Sequence, residues 1–138
     1  MKLLDFIQSE TDIKNLNVVL TDLNGIFRGK KIPISQTNKI KNGHFRMPIS
    51  VLNLDIWGND IENSKWVFET GDADGRGLWT HKKPLLIKSV SPNNAIIPVS
   101  MHNEDKTPFL GDPIHLLLDS VSYTHLRAHE TPEHLVCR

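Results

Sequence analysis

An acidic turn at positions 71–75, with the sequence Gly-Asp-Ala-Asp-Gly, is the first place where residue types and spacing could support chemistry. Asp72 and Asp74 would occupy positions three and five of a calcium-binding loop. Thr70 would then stand at position one and His81 at position twelve, so the bidentate glutamate that closes such a loop is missing. We therefore interpret the segment as a tight acidic turn.

A run rich in glycine and lysine, at positions 25–31, superficially matches a phosphate-binding loop. Only three residues separate Gly25 from Gly29, and Lys31 stands where a serine or threonine would hold magnesium. The sequence therefore excludes a phosphate-binding loop of this type.

The C-terminal segment contains a candidate zinc site. His125 and His129 lie four residues apart, on one face of a helix, and His134 and Cys137 could complete a tetrahedral shell. No C-x-x-C pair is present, and Pro132 breaks a helix between the two halves. We therefore predict no metal at these residues. The other histidines share no spacing and are interpreted as surface or helix-face residues: His44, His81, His102 and His115.

The composition limits the classes of function. The chain has 138 residues, which suits one domain of normal size. Sixteen basic residues balance 16 acidic ones, so no net charge favours nucleic acid or an anionic membrane as a partner. No stretch approaches the roughly 20 apolar residues of a membrane span, and the start lacks a secretory signal. We expect a cytoplasmic protein, and the single cysteine excludes an internal disulfide.

The first two predicted secondary-structure elements are a helix and a hairpin. Leu3, Leu4 and Ile7 form a short apolar stripe, which predicts a helix of two or three turns. Two apolar runs then flank Asn24 and Gly25, a dipeptide that tolerates positive φ at both central positions of a two-residue type I′ turn. The pattern predicts a β-hairpin with that turn.

Further elements alternate between short helices and strands. We predict a short helix at 35–42 with Ser35 as its N-cap, and a strand at 65–69. Two apolar runs at 85–90 and 95–101 flank a turn of proline and asparagine, which predicts antiparallel neighbours. Pro98 lacks a backbone donor, so its strand should be at an edge or bulged.

The last predicted element is a helix that begins at Asp112 and Pro113. An N-cap carboxylate followed by proline at the first helical position is a common helix start. Its apolar residues recur at helical spacing and should pack on the sheet: Ile114, Leu117, Leu118 and Val121. Paired strands with helices between and after them predict an α+β fold.

Three segments, in the same order, carry a resemblance to a known family. The run Asp-Leu-Asn-Gly-x-x-Arg-Gly-Lys at 22–30 resembles the start of the N-terminal β-grasp domain of glutamine synthetase-type enzymes. Segments 69–75 and 103–109 are similar to the same family, and the resemblance extends over about residues 13–121. It implies a β-grasp sheet and a ligase whose larger C-terminal catalytic domain, with its ATP and Mg or Mn sites, is absent from this chain. The chain alone is therefore expected to bind no cofactor and to be inactive.

The resemblance also implies partners and site residues. The parent would be a homo-oligomeric ring in which this domain contacts the catalytic domains of its own and a neighbouring subunit and lends loops to the neighbour's site. Segment 47–51 looks equivalent to the loop Phe-Asp-Gly-Ser-Ser of true glutamine synthetases, with Pro48 in place of the aspartate that binds ammonium. Since proline cannot hold a cation, the branch resembling γ-glutamylpolyamine synthetases is favoured. Ser50, Asp72 and Asp74 are the candidate residues of the lent loops.

The composition changes at Ser122, where a histidine-rich segment replaces the amphipathic helix pattern. Residues 122–138 resemble a translated artificial sequence found at broken ends of reading frames. We therefore divide the chain into a native domain, 1–121, and a non-native tail, 122–138.

A second hypothesis is a stand-alone, non-catalytic β-grasp module that binds a partner through its sheet edge or the loop at 72–76. A stand-alone module requires that the C-terminal segment be a native end of the domain. A fragment should instead expose the apolar surface that meets its catalytic domain.

Overall fold

The computed structural model describes residues 3–87 and 91–128. The helices are α1 (Leu3–Ser9), α2 (Thr37–Lys41), α3 (Lys65–Phe68) and α4 (Pro113–Ala128). The strands are β1 (Asn15–Thr21), β2 (Phe27–Pro33), β3 (Phe45–Pro48), β4 (Asp74–Trp79), β5 (Leu85–Leu86) and β6 (Asn94–His102).

These strands form one mixed sheet in the order β2-β1-β6-β4-β3. β1 and β6 are parallel, whereas the other pairs are antiparallel. β5 pairs with the first half of β6, as predicted for the runs around the turn at 91–94. A mixed sheet with a few packed helices confirms the α+β, β-grasp-like fold.

The core lies between the sheet and the two N-terminal helices. Leu3 and Phe6 of α1 and Ile40 of α2 are at most 4% exposed. They belong to one apolar cluster with the inward side chains of the two central strands: Leu16, Val18, Leu20, Ala95, Ile97, Val99 and Met101. α1 forms where the apolar stripe predicted it.

The predicted hairpin is present, but its turn is of another type. Thr21 pairs with Phe27, so the loop is longer than two residues. Gly25 donates its N–H to Asp22 O, and Asp22 donates to Ile26 O. Gly25 has φ of 75°, whereas Asn24 is not among the residues with positive φ. This is the three-residue loop with a glycine bulge. It forms because the Asp22 carboxylate accepts the N–H groups of Asn24 and Ile26.

β6 is central, so the prediction that Pro98 marks an edge or a bulge is wrong. Pro98 pairs with Val19 of β1 on one side. On the other side, β5 pairs with β6 only at 95–96, and β4 pairs only from Val99 onward. Pro98 therefore lies at the break between β4 and β5, where a missing N–H costs little, and its carbonyl still accepts from Thr80 N–H.

The strand predicted at 65–69 is instead the single helical turn α3. The N–H groups of Val67 and Phe68 both bond to Ser64 O, so the chain satisfies its backbone locally. Trp66 then packs edge-to-face on Phe109, with ring centroids 5.2 Å apart. Tertiary packing outweighs the strand propensity of this short segment.

The helix predicted at 35–42 starts later than expected. A 3-10 turn, Ile34–Gln36, precedes α2, and Gln36 rather than Ser35 is the N-cap. The end is as predicted, since Asn42 is the C-cap and Gly43 follows with φ of 67°.

α4 begins as predicted but packs differently. Asp112 Oδ1 accepts Ile114 N–H at 3.0 Å, which confirms the N-cap. The predicted packing of its apolar face on the sheet is wrong: Leu117 and Leu118 are 63% and 58% exposed. α1 and α2 already supply the helical side of the core, so α4 leads away from it.

The helix continues across the predicted boundary at residue 122 as far as Ala128, and residues 129–138 lie outside the described part. Within the described ranges, no helix is long and apolar enough to cross a membrane.

Candidate active-site loops

The structure brings together Ser50 and Asp72, two residues that the sequence places 22 positions apart. Ser50 lies in a 3-10 turn, Ile49–Asn53, directly after β3, and Asp72 lies two residues before the start of β4. β3 and β4 are antiparallel with Pro48 opposite Asp74, so the two turns meet at one end of the sheet. Ser50 Oγ donates to Asp72 Oδ1 at 2.5 Å.

The pair combines a buried hydroxyl with an exposed carboxylate. Ser50 is 6% exposed, whereas Asp72 is open to solvent. A hydroxyl bonded to a carboxylate at this distance is a charge-assisted hydrogen bond, which orients the carboxylate. An exposed, oriented carboxylate can bind a cation or accept a proton.

The acidic turn itself has an unusual backbone. Gly71 and Asp72 have φ of 66° and 54°, in the left-handed region, and Asp72 N–H donates to Trp66 O at 3.2 Å. A non-glycine residue in this region is uncommon, although aspartate tolerates it better than most. The turn therefore projects the Asp72 carboxylate outward at a fixed position.

Asp74 and Gly75 belong to β4 and not to a metal-binding loop. Gly75 is buried, and a Cβ there would overlap Met101 Sδ, so the glycine is required by sheet packing. Asp74 is exposed and lies opposite Pro48. The hydrogen bond to Glu104, with a smaller contribution from the charge of Asp74, raises the pKa of Arg46. The described residues contain no group of three or more potential metal ligands. Of the disfavoured zinc ligands, His125 lies in α4, and His129, His134 and Cys137 lie outside the described residues.

An ion-paired cluster lies beside these turns. Arg46 of β3 and Arg76 of β4 are directly opposite, and Glu104 bonds to both of them. The hydrogen bond from Arg46, followed by that from Arg76, lowers the pKa of Glu104 to about 2. Arg76 also donates to the Glu104 and Gly43 carbonyls. Glu104 therefore ties segment 103–109 to the strands that carry the turns.

The hairpin tip is attached to the same end of the molecule. Asp22 is 2% exposed, and its Oδ2 accepts Arg28 Nε at 2.8 Å. Burial raises the pKa of Asp22, but the bonds from Arg28 and from Ile26 and Asn24 N–H outweigh burial, so the pKa is lowered. Arg28 Nη2 donates to Asp55 O, which attaches the hairpin to the segment after Ser50.

Sequence reasoning missed two of these contacts. The Asp22–Arg28 pair follows from hairpin geometry and could have been found once the register was assigned. The rings of His102 and His115 lie 4.9 Å apart, edge to face, although their spacing gave no signal. His115 Nε2 contacts Met101 O at 2.9 Å. Burial, together with the charge of His115, lowers the pKa of His102.

No protein-family profile matches the chain. Gamma-glutamylputrescine synthetase PuuA of Escherichia coli (strain K12) is 33% identical over 118 residues, which are 81% of this chain and 24% of that protein. The chain thus spans about a quarter of the length of this relative.

Two solved structures share the fold. A novel glutamine synthase homolog superposes with a TM-score of 0.66 at 22% identity, covering 80% of this chain and 26% of its own. Apo GmaS superposes with a TM-score of 0.52 at 19% identity, covering 78% of this chain and 22% of its own. The sequence match and the shared fold agree with the three resembling segments. They identify the chain as an N-terminal domain of the glutamine synthetase family.

Proposed function

We propose that this chain is the N-terminal part of an ATP-dependent carboxylate-amine ligase and that its Ser50 and Asp72 turns complete the active site of a neighbouring subunit. The observation that carries the proposal is the 33% identity with a gamma-glutamylputrescine synthetase over 118 residues. ATP and Mg or Mn would bind in the larger catalytic domain of the parent enzyme. The assembled enzyme would be a cytoplasmic homo-oligomeric ring.

The geometry of the turns supports this role. Asp72 is exposed and oriented by Ser50, at an end of the sheet where Arg46, Arg76 and Glu104 form a paired cluster. Such loops could close a neighbouring site and keep water from an acyl-phosphate intermediate. Asp72 would attract the cationic amine acceptor, and Ser50 would hold the carboxylate in place.

The identity of residue 48 supports a larger amine as the acceptor. Pro48 is the last residue of β3, and its side chain offers no carboxylate to hold ammonium. A carbon chain can contact a proline ring, whereas an ammonium ion gains nothing from it. This favours the γ-glutamylpolyamine branch over glutamine synthesis.

The apolar residues exposed on α4 support a contact with a further domain. Leu117 and Leu118 are each more than half exposed, as is Leu110 shortly before the helix. Large apolar side chains that are exposed near one another commonly mark an interaction surface. The stand-alone module leaves this surface unexplained, whereas a following catalytic domain would cover it.

The proposal is tested by a chimera in which residues 1–121 replace the matched segment of PuuA. We expect γ-glutamylputrescine formation by the chimera and none by the 138-residue chain alone. Asp72→Asn and Ser50→Ala should each lower kcat of the chimera about 10- to 100-fold. Asp12→Asn and Ser35→Ala are the matched controls, because both residues are exposed and lie outside the segment that contains the two turns.

Mixing subunits tests whether the loops act in trans. A chimera with Asp72→Asn is combined with a chimera inactivated in its catalytic domain, and turnover is measured. Recovery of part of the activity is expected, because the intact loop of one subunit meets the intact catalytic domain of the other. A folded, oligomeric chimera that is inactive in every combination would contradict the ligase proposal and favour the binding module.

A further inference from the structure

The sheet leaves a gap between its two outer strands, β2 and β3. Lys30 Nζ of β2 donates to Arg46 O of β3 at 3.1 Å, which bridges the strands at one point without backbone pairing. Next to this bridge, β2, β3 and the 3-10 turn after β3 line a cavity of about 490 Å³ that is open to solvent. That volume lies within the range of small-molecule sites, roughly 300 to 1,000 Å³.

The walls of the cavity are largely apolar. Phe27 lines it from β2, Met47 from β3, and Val51 and Leu54 from the turn. Phe27 is 52% exposed, which leaves about half of its apolar side chain in contact with solvent. A short carbon chain or ring in the cavity would cover part of this apolar surface.

The charged groups that line the cavity are both cations. Arg28 is neutralised by the buried carboxylate of Asp22. Lys30 forms no ion pair within the described ranges, where its Nζ contacts only a carbonyl oxygen. The cavity therefore has one cation whose charge is not balanced.

Two carboxylates on the adjoining segments form hydrogen bonds outside the cavity. Asp72 accepts the hydroxyl of Ser50, whose own side chain lines the cavity. Asp55 accepts the N–H groups of Trp57 and Asn59 within its own loop. No carboxylate lines the cavity, so its surface should attract anions and repel amines.

The backbone of β2 adds a donor. Asp22 N–H bonds to Ile26 O. From this pair onward, hydrogen-bonded and non-hydrogen-bonded positions alternate along β1 and β2. In this register Gly29 lies opposite Val19 at a position whose N–H points away from β1, toward the gap. Gly29 also lines the cavity.

We propose that this cavity binds a small organic anion with a short apolar body, such as an alkyl or aryl carboxylate. The carboxylate would contact Lys30 Nζ and Gly29 N–H, and the apolar body would lie against Phe27, Val51 and Leu54. The site does not depend on the proposed ligase function. Because Ser50 lines the cavity and bonds to Asp72, an occupant would contact the turn that carries the candidate active-site pair.

The test uses the 138-residue chain labelled with ¹⁵N and two probes of equal length and opposite charge. Hexanoate is expected to cause saturable amide shifts at Gly29, Val51 and Leu54, whereas hexylammonium should cause none there at the same concentrations. Equal or tighter binding of hexylammonium at these amides would overturn the proposal, as would the absence of saturable shifts with hexanoate.

Two lysine variants locate the charge that binds the probe. Lys30→Gln should weaken hexanoate binding about fivefold, as expected for a partly exposed ion pair. Lys31→Gln is the matched control, because Lys31 does not line this cavity, although it lines a neighbouring groove that shares Lys30 with it. An equal effect of the two variants would overturn the assignment. Both lysines are exposed, and retained amide dispersion shows that each variant is folded.

A failed anion test and a failed ligase proposal can be told apart. The ligase test measures turnover by the chimera, whereas this test measures binding to the isolated chain.

Discussion

Helices α1 and α4 make opposite use of their apolar residues. α1 has seven residues and a thin apolar stripe, yet Leu3 and Phe6 are each only 4% exposed. α4 has sixteen residues and a regular apolar stripe, yet Leu117 and Leu118 remain more than half exposed. Helical periodicity therefore defines an apolar face, but whether that face is buried depends on which helix occupies the surface of the sheet.

The two helices also differ in how they are attached. α1 is held by side chains in the core cluster. α4 is held mainly at its first turn, where the buried Asp112 carboxylate accepts both Ile114 N–H and Met101 N–H. The proposed function expects another domain to contact this exposed apolar face.

The largest expected effect on stability concerns helix α1, whose apolar residues are buried. Phe6→Ala should lower the free energy of unfolding by about 3–4 kcal/mol, because it removes a buried ring and leaves a cavity. Phe68→Ala is the matched control, since Phe68 is 69% exposed and should change stability by less than about 0.5 kcal/mol. Urea denaturation followed by circular dichroism measures both. Equal losses would show that α1 is not part of the core.

The next effect tests the anchor of α4. Asp112→Ala should cost about 2 kcal/mol, because it removes an N-cap and leaves Met101 N–H buried without an acceptor. Asp119→Ala, on the exposed part of the same helix, should have little effect. Hydrogen exchange of the α4 amides distinguishes local fraying from global unfolding. Unchanged exchange in the Asp112 variant would contradict an anchor at this residue.

A smaller effect concerns the loop that leads from β6 toward α4. The pKa of Glu104 is lowered from 4.5 to about 2 by Arg46 and Arg76, so its contribution to stability is present above pH 4.5 and is lost as the pH falls toward 2. Glu104→Gln should therefore flatten the dependence of stability on pH in this window. Glu62→Gln, at another exposed position, is the control. Identical pH profiles for the two variants would rule out the ion-paired cluster in solution.

The smallest effect on folding is expected on the exposed face of α4. Leu117→Ser should change the free energy of unfolding by less than about 0.5 kcal/mol, because the side chain is already largely hydrated. The same substitution in the PuuA chimera should weaken docking of the catalytic domain, measured as a lower melting temperature of the oligomer. A large loss of stability in the isolated chain would mean that α4 packs on the sheet after all.

Much of the fold could be predicted because local chemistry is strong at particular residues. Asn24 and Gly25 favour a reversal of the chain, and Asp112 and Pro113 favour the start of a helix. The errors arose where a distant partner decided the outcome. Segment 65–69 became helical because Trp66 packs on Phe109, 43 positions along the chain.

The candidate site was only partly accessible to sequence reasoning. Ser50, Asp72 and Asp74 were selected by resemblance, but nothing in their spacing predicts that Ser50 and Asp72 bond to each other. That contact depends on the pairing of β3 with β4, which aligns Pro48 with Asp74. Their functional roles stay a prediction until the chimera is assayed.

Local signals predicted the hairpin, helices α1 and α4 and the family resemblance, because those signals depend on residues within a few positions of one another. The fold places β6 at the centre of the sheet, exposes the apolar face of α4 and leaves a cavity lined by Lys30 between β2 and β3. These features depend on contacts between distant segments. Such contacts are set by competition for the same sheet surface, which no local pattern records.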